Sequence, residues 1–97
     1  MSSLEQVRNN ILDIKPYLME KYLVKSLSIF GSYAREEQQD DSDVDILVDF
    51  KKTPDLLTFI EMEEYLSHKL QVAVDLVPKR KLKEQLKEQI LSEAIAI

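Results

Sequence analysis

The sequence of 97 residues contains no cysteine, no tryptophan and a single histidine. Without cysteine, neither a disulfide framework nor a thiolate zinc site is possible. Every uninterrupted apolar run is too short to span a membrane, and the first residues lack the pattern of a secretory signal peptide. We therefore expect a cytoplasmic protein that binds no membrane.

Basic residues are fewer than acidic ones: the chain has 13 Lys and Arg residues and 18 Asp and Glu residues, so its net charge is −5. A protein that grips a nucleic-acid backbone usually needs a basic face. The acidic balance argues against direct binding of nucleic acid and favours a basic protein or a cationic small molecule as partner. The length predicts one domain over residues 1–97, without room for the extra domains with which polymerases hold a template.

Only one glycine is present, Gly31, and it separates an apolar segment from a polar loop. A residue without Cβ lets the backbone turn sharply and approach a ligand closely. Ser32 follows, and a helix predicted over residues 33–37 would begin there with free N–H groups and the positive end of its dipole. Arg35 could add a charge-assisted bond to a phosphate oxygen. The segment therefore predicts a phosphate-binding turn.

Two aspartates one residue apart, Asp43 and Asp45, open the apolar segment after this turn. Because alternate residues of a strand point to the same side, both carboxylates would lie on one face, with Cα atoms about 6.5–7 Å apart. Magnesium is usually held by one or two carboxylates together with substrate phosphates. A pair of ions about 3.5–4 Å apart could then clamp the attacking and leaving oxygens of a phosphoryl displacement.

A third carboxylate, Asp75, lies inside the apolar run VAVDLV. Burying an unpaired carboxylate is costly, so we expect Asp75 to have a partner. A metal ion shared with Asp43 and Asp45 is one candidate, and a salt bridge is the other.

The N-terminal third predicts helix and then strand. Ser3 is a candidate cap for a helix whose apolar residues recur at helical spacing. These residues are Leu4, Val7, Ile11 and Ile14. Pro16 should interrupt this helix, because proline lacks a donor and clashes with the preceding turn, and a second short helix over 16–22 should follow. The apolar segment 24–30 predicts the first strand.

The second half predicts helix, strand and helix. Thr53 as cap and Pro54 at the first helical position begin a helix that runs to about Leu70. Its predicted buried stripe is Phe59, Met62, Leu66 and Leu70. Residues 72–77 predict a strand, and an apolar stripe that reaches Ile95 predicts a closing helix. The fold class is therefore α/β (α+β), with a small mixed sheet of three or four strands and helices mainly on one face.

The stretch GSYAREEQQDDSDVDI, which begins at Gly31, resembles the G-S-x-A-R…S-D-x-D signature of the minimal nucleotidyltransferases in the DNA polymerase beta-like superfamily. The resemblance covers nearly the whole chain and implies the nucleotidyltransferase fold. The nucleotide-binding residues that it implies are Gly31, Ser32, Arg35 and Ser42. The family often has glycine after the arginine and a small residue two positions further on, where this chain has Glu36 and Gln38.

The resemblance also implies an enzyme that uses ATP as substrate and Mg²⁺ as cofactor. Asp43, Asp45 and Asp75 would hold the metal and carry catalysis, with Asp75 deprotonating or orienting the attacking hydroxyl. Stand-alone members of this size are similar to antitoxins paired with HEPN-domain toxins, which are ribonucleases. Such an antitoxin transfers AMP from ATP to a tyrosine of the toxin, and we expect this function here, in a hetero-oligomer with the toxin.

Two alternatives stay open from the sequence. Nucleotidyl transfer to a small molecule such as an aminoglycoside would suit the acidic surface, but enzymes of that kind usually carry a further domain. A non-catalytic antitoxin would instead neutralise its toxin by contact alone. The destination of label from ATP, on a protein, on a small molecule or on neither, distinguishes the three.

Overall fold

The computed structural model describes residues 3–97. Its helices are α1 (Leu4–Lys21), α2 (Gly31–Ala34), α3 (Leu56–Leu70) and α4 (Glu84–Glu93). Its strands are β1 (Val24–Phe30), β2 (Val44–Phe50), β3 (Val74–Pro78) and β4 (Ile95–Ala96), and a short 3₁₀ helix spans Lys79–Lys81. Within the described part of the chain, no helix is both long and apolar enough to cross a bilayer.

The four strands form one mixed sheet in the order β3-β2-β1-β4. β1 pairs antiparallel with both β2 and β4, whereas β2 pairs parallel with β3. The predicted class, a small mixed sheet of three or four strands with helices, is confirmed. Two register pairs position the site: Phe30 lies opposite Asp45 on β1 and β2, and Asp45 lies beside Asp75 on β2 and β3.

The core lies where α1 and α3 contact each other and the sheet. Alternate residues of β2, namely Val44, Ile46 and Val48, are fully buried, as the period of two in a strand requires. The predicted stripe of α3 is confirmed, since Met62, Leu66 and Leu70 are buried and Phe59 is half-buried. Helix packing on this face leaves the side chains of the intervening residues, Asp45 among them, on the other face.

The first helix is continuous, so the predicted break at Pro16 is wrong. Its start is confirmed: the Ser3 hydroxyl accepts from the Gln6 N–H, and the Gln6 side chain accepts from the Ser3 N–H. Pro16 is exposed, while Ile11 and Leu18 on either side of it are fully buried. Packing of these side chains outweighs the loss of one helical hydrogen bond, which costs about 3 kcal/mol.

Helix α2 begins and ends at residues other than those predicted, whereas α3 begins later than predicted and ends at Leu70 as expected. α2 occupies 31–34 rather than 33–37, because Glu36 adopts a left-handed φ of 56° and turns the chain away. α3 begins after Asp55, whose side chain accepts from the Thr58 N–H at 2.8 Å, so Asp55 and not Thr53 is the cap.

The last two predicted elements are shorter than expected. β3 begins at Val74 rather than at 72, because α3 ends through Gln71 in a left-handed conformation, with φ 57°. α4 ends at Glu93, and Ala94 is extended, so the predicted helix to Ile95 is wrong. Ile95–Ala96 instead pairs with β1, and Ile97 packs against the core.

Candidate active site

The glycine turn follows β1 directly and lies against a carboxylate of β2. Gly31 has φ +73°, a left-handed conformation that side chains rarely adopt. A Cβ at this position would lie 3.0 Å from the Asp45 Cγ and nearer still to one of its carboxylate oxygens. The pairing of Phe30 with Asp45 causes this approach, since Gly31 is the next residue along. The neighbour observed at Gly31 is a protein carboxylate, and the predicted close approach to a ligand stays a prediction.

The carboxylates come together through strand register. Asp45 and Asp75 are paired neighbours on parallel strands, and Asp43 precedes Asp45 by two residues, just before β2 begins. Asp45 is half-buried, whereas Asp43 and Asp75 are exposed. The expectation that Asp75 is buried and therefore needs a partner is wrong, because its side of β3 is open to solvent. Its position beside Asp45 comes from sheet pairing.

Electrostatic repulsion is concentrated on Asp45. Its burial, together with the negative charges of Asp75 and Asp43, raises the pKa of this carboxyl to about 6. Arg35 lowers the pKa slightly, and Glu93 raises it. A divalent cation at this place would favour the charged form of Asp45.

The donor set fits a metal ion that shares its ligands with a substrate. Across residues 3–97, no group of three or more acidic, histidine or cysteine side chains is gathered closely enough to form a metal site by itself. Carboxylate oxygens are the ligands that magnesium prefers, and magnesium commonly takes its remaining ligands from phosphates and water. The residues present therefore fit a hard cation that arrives with a nucleotide.

Arg35 is already engaged by two acidic side chains. Its Nη1 donates to both carboxylate oxygens of Glu93, at 3.2 and 3.1 Å, and its Nε donates to Glu37 at 3.1 Å. The bond with Glu93 is the main cause that raises the pKa of the Arg35 guanidinium above its ordinary value. The prediction that Arg35 contacts phosphate remains a prediction, and its observed partners are on the protein.

Glu93 was not singled out from the sequence, although it contacts two residues of the turn. Besides Arg35, its carboxylate accepts the N–H of Gly31 at 3.1 Å. A usable signal was present, because Glu93 is the last residue of α4, where the helix dipole disfavours an acidic side chain. An acid in that position calls for a specific partner, which a helical pattern alone does not identify.

The two serines of the signature have different positions. Ser32 is half-buried in the first turn of α2. Ser42 closes the loop before the carboxylates, since its hydroxyl accepts from the Gln39 N–H at 2.8 Å and its own N–H donates to the Gln39 carbonyl at 3.0 Å. Ser42 therefore shapes the approach to Asp43, and its contact with a nucleotide stays a prediction.

The far end of the sheet carries different features. Lys79–Lys81 follow Pro78, which pairs with Val48, three positions beyond the Asp45–Asp75 pair. A cleft of about 200 Å³ lies at that end, between Phe50, Leu56, Pro78 and Arg80. His68 is exposed on α3. The basic residues thus lie away from the carboxylates.

Comparison with known proteins identifies the family of this chain. The model of the nucleotidyltransferase domain family matches residues 11–97. The protein adenylyltransferase MntA of Thermococcus cleftensis is 44% identical over 97 residues, covering 100% of this chain and 98% of the relative.

Solved structures show the same fold. A candidate minimal nucleotidyltransferase superposes with a TM-score of 0.84 at 35% identity and covers 99% of this chain and 97% of that chain. A chain of the Shewanella oneidensis complex between a tri-AMPylated HEPN toxin and its MNT antitoxin has a TM-score of 0.69 at 25% identity, covering 93% of this chain and 70% of that chain. The chain therefore belongs to the nucleotidyltransferase domain family, and its resemblance to the minimal nucleotidyltransferases is confirmed.

Proposed function

We propose that this protein is the antitoxin of a HEPN-type toxin–antitoxin pair and transfers AMP from ATP to a tyrosine of the toxin. Full-length identity of 44% to a protein adenylyltransferase supports this activity. The similar chain from a complex with an AMPylated HEPN toxin supports the partner. The single observation that carries the chemistry is the pairing of Asp45 with Asp75 beside the Gly31 turn.

The triphosphate of ATP is bound at the turn in this proposal. The N–H groups of Ser32 and Tyr33 belong to the first turn of α2, where amides lack acceptors within the helix. Phosphate oxygens would supply those acceptors, and Gly31 permits the backbone to come close. Ser42 holds the loop that closes this side of the site.

Mg²⁺ is the metal that we propose, with Asp43, Asp45 and Asp75 as its protein ligands. When bound, it would supply charge neutralisation for the triphosphate and the departing pyrophosphate. This neutralisation is needed at the site, because three carboxylates without a cation would repel a triphosphate. Burial, together with repulsion from Asp75 and Asp43, raises the pKa of Asp45.

Asp75 orients or deprotonates the attacking hydroxyl. It is exposed beside the half-buried Asp45, so a side chain from another protein can reach it. The tyrosine oxygen bonds to the α-phosphorus while the bond from that phosphorus to the oxygen bridging to the β-phosphate breaks. Pyrophosphate leaves with the electron pair, and the tyrosine proton passes to Asp75 and then to solvent. Positioning and charge stabilisation supply the rate enhancement.

The proposed partner is a protein and not a nucleic acid. A net charge of −5 favours a basic protein surface over a phosphate backbone. The use of ATP and of a ribonuclease toxin favours a cytoplasmic location. We also propose that residues 1–97 act as one domain.

Labelled ATP tests the proposal. The protein is incubated with Mg²⁺ and a purified HEPN-domain protein from the same genome, using ATP labelled at the α-phosphate or, in parallel, at the γ-phosphate. We expect α-label on the partner, no γ-label, and loss of α-label when the modified tyrosine is changed to Phe. Label on an added aminoglycoside instead would favour the small-molecule enzyme. If the Asp43→Asn/Asp45→Asn variant transfers no label to the toxin but neutralises it as well as the wild type does, the result would favour neutralisation by contact.

A further inference from the structure

Glu93 connects α4 to the glycine turn. Its carboxylate accepts the Gly31 N–H at 3.1 Å and two hydrogen bonds from Arg35 Nη1 at 3.2 and 3.1 Å. Only 20% of the Glu93 side chain is exposed, compared with 46% for Arg35. One carboxylate therefore joins both ends of α2, the residue that begins it and the residue that caps its C-terminus.

Local structure alone does not account for an acid at this position. Glu93 is the last residue of α4, where the negative end of the helix dipole disfavours a carboxylate. Partial burial adds a desolvation cost. Hydrogen bonds from the Gly31 N–H and from Arg35 offset both costs. The same bonds connect the turn to α4.

We propose that Glu93 is a positioning residue for nucleotide binding, which tethers the Gly31 turn to α4 and fixes its conformation next to Asp45. The inference rests on the proposed function, because it takes this turn as the triphosphate site. With the Gly31 N–H given to Glu93, the amides of Ser32 and Tyr33 are left for the phosphates. Arg35 acts in the same tether, neutralising Glu93.

A competing role for Glu93 predicts the opposite change in nucleotide affinity when its side chain is removed. Glu93 is an anion on an amide and a guanidinium, so it could instead occupy a place that phosphate takes when ATP binds. In that case, removal of Glu93 would free two donors and tighten nucleotide binding. For a positioning residue, removal loosens the turn and weakens binding. The direction of the change in affinity distinguishes the two roles.

The experiment measures the affinity of the purified protein for Mg²⁺ and an ATP analogue with a methylene bridge between the α- and β-phosphates, by titration calorimetry. We expect Glu93→Ala to weaken binding on the order of tenfold, because small misplacements of positioning groups carry effects of that size or larger. Glu93→Gln should recover much of the affinity, since its amide oxygen can still accept from Gly31. Arg35→Ala in the Glu93→Ala background should add little, because both changes break one tether.

Glu88→Ala is the matched control, since Glu88 is an exposed acid on the same helix. It should leave the affinity unchanged, and thermal unfolding of each variant reports whether the fold is retained at the temperature of titration. Tighter binding by Glu93→Ala would overturn the proposal in favour of occlusion. A Glu93→Gln variant as weak as Glu93→Ala, or a Glu93→Ala variant equal to Glu88→Ala, would also overturn it. Wild-type protein that fails to bind the analogue would overturn the proposed function itself.

Discussion

The site has two halves that differ in how their charges and backbone are satisfied. The turn half comprises Gly31, Ser32 and Arg35, and Glu93 holds it with hydrogen bonds and an ion pair. The carboxylate half comprises Asp43, Asp45 and Asp75, and none of these three has an ion pair within residues 3–97. One half is internally compensated and the other is not.

This difference separates two kinds of strain. Backbone strain lies at the end of the turn half, where Glu36 has a left-handed φ of 56°; Gly31 is also left-handed, but glycine adopts that conformation without strain. In the carboxylate half, burial of Asp45 and repulsion from Asp75 and Asp43 together raise the pKa of that carboxyl to about 6. Protein groups can compensate the first kind in advance, whereas a cation would relieve the second. We therefore expect the carboxylate half to be the half that a ligand completes.

The largest expected effect follows from removing charge in the carboxylate half. Asp43→Asn/Asp45→Asn should lower the rate of AMP transfer about 1,000-fold or more, because the variant loses the proposed metal ligands while keeping the shape of the site. Initial rates of α-label transfer to the partner measure the change.

Asp49→Asn is the control for that loss, because Asp49 is a half-buried acid further along the same face of β2. It should transfer AMP at close to the wild-type rate. Full activity in the Asp43→Asn/Asp45→Asn protein would contradict the division of the site into these halves.

The junction of the two halves is expected to tolerate no Cβ. Gly31→Ala forces a side chain into a left-handed φ of +73° and against the Asp45 carboxylate. We expect a loss of about 2–4 kcal/mol in the free energy of unfolding, combining backbone strain with steric overlap. Denaturant unfolding at equilibrium measures it.

Adding Asp45→Ala to Gly31→Ala separates the two contributions. Asp45→Ala should raise the stability of Gly31→Ala by more than it raises that of the wild type, because only the Gly31→Ala background has the steric overlap to relieve. If Asp45→Ala changes the stability equally in both backgrounds, the overlap with Asp45 is not the cause.

Without divalent metal, stability should fall as the pH rises through about 6. The pKa of Asp45 in the folded protein, about 6, lies above its ordinary value of 3.8. Between pH 3.8 and about 6, the folded state therefore keeps a proton on Asp45 that the unfolded chain has released. The stability that this proton contributes is fully present below pH 3.8 and lost above about 6. Asp45→Asn should be more stable than wild type at pH 7.5 by about 1 kcal/mol, after allowance for solvent screening.

Thermal unfolding in EDTA at pH 5 and pH 7.5 tests this linkage. The difference in unfolding temperature between Asp45→Asn and the wild type should be larger at pH 7.5 than at pH 5. The corresponding difference for Asp49→Asn should not change with pH. A difference in stability of equal size at both pH values would show that the raised pKa of Asp45 is not its source.

The smallest effect is expected at the end of the turn half. Glu36 has φ 56°, and glycine adopts this conformation without the strain of a Cβ. Glu36→Gly should therefore stabilise the protein by about 0.5–1 kcal/mol and leave AMP transfer unchanged. Gln71→Gly, at the left-handed end of α3, is the matched control outside the site and should stabilise by a similar amount. A destabilised Glu36→Gly protein would show that the Glu36 side chain makes a contribution larger than the strain.

Where local patterns determine the structure, the sequence predicts it well. β1 spans Val24–Phe30 as predicted, and the buried stripe of α3 follows from helical spacing. The same reasoning failed at Pro16, where packing on both sides outweighs a lost hydrogen bond, and at Asp55, where two neighbouring residues were both suitable caps.

The individual residues of the site could be predicted from the sequence, but the contacts between them could not. Gly31 and the aspartates carry local signals, the missing Cβ and the alternation of a strand. Asp75 does lie on the strand next to Asp45, but its expected burial is absent and its position comes from register. The bond from Gly31 to Glu93 joins distant parts of the chain, and no local pattern encodes such a contact.

The parallel pairing of β2 with β3 has a consequence for how the protein becomes active. Parallel neighbours require a crossover, which here is α3, so Asp45 and Asp75 meet only after that helix has docked. Contacts of this kind form late, because the intervening chain must first be closed into a loop. A newly synthesised chain that has made only its first hairpin would display the glycine turn without a complete set of acidic groups. Catalytic competence would then appear as a late event of folding.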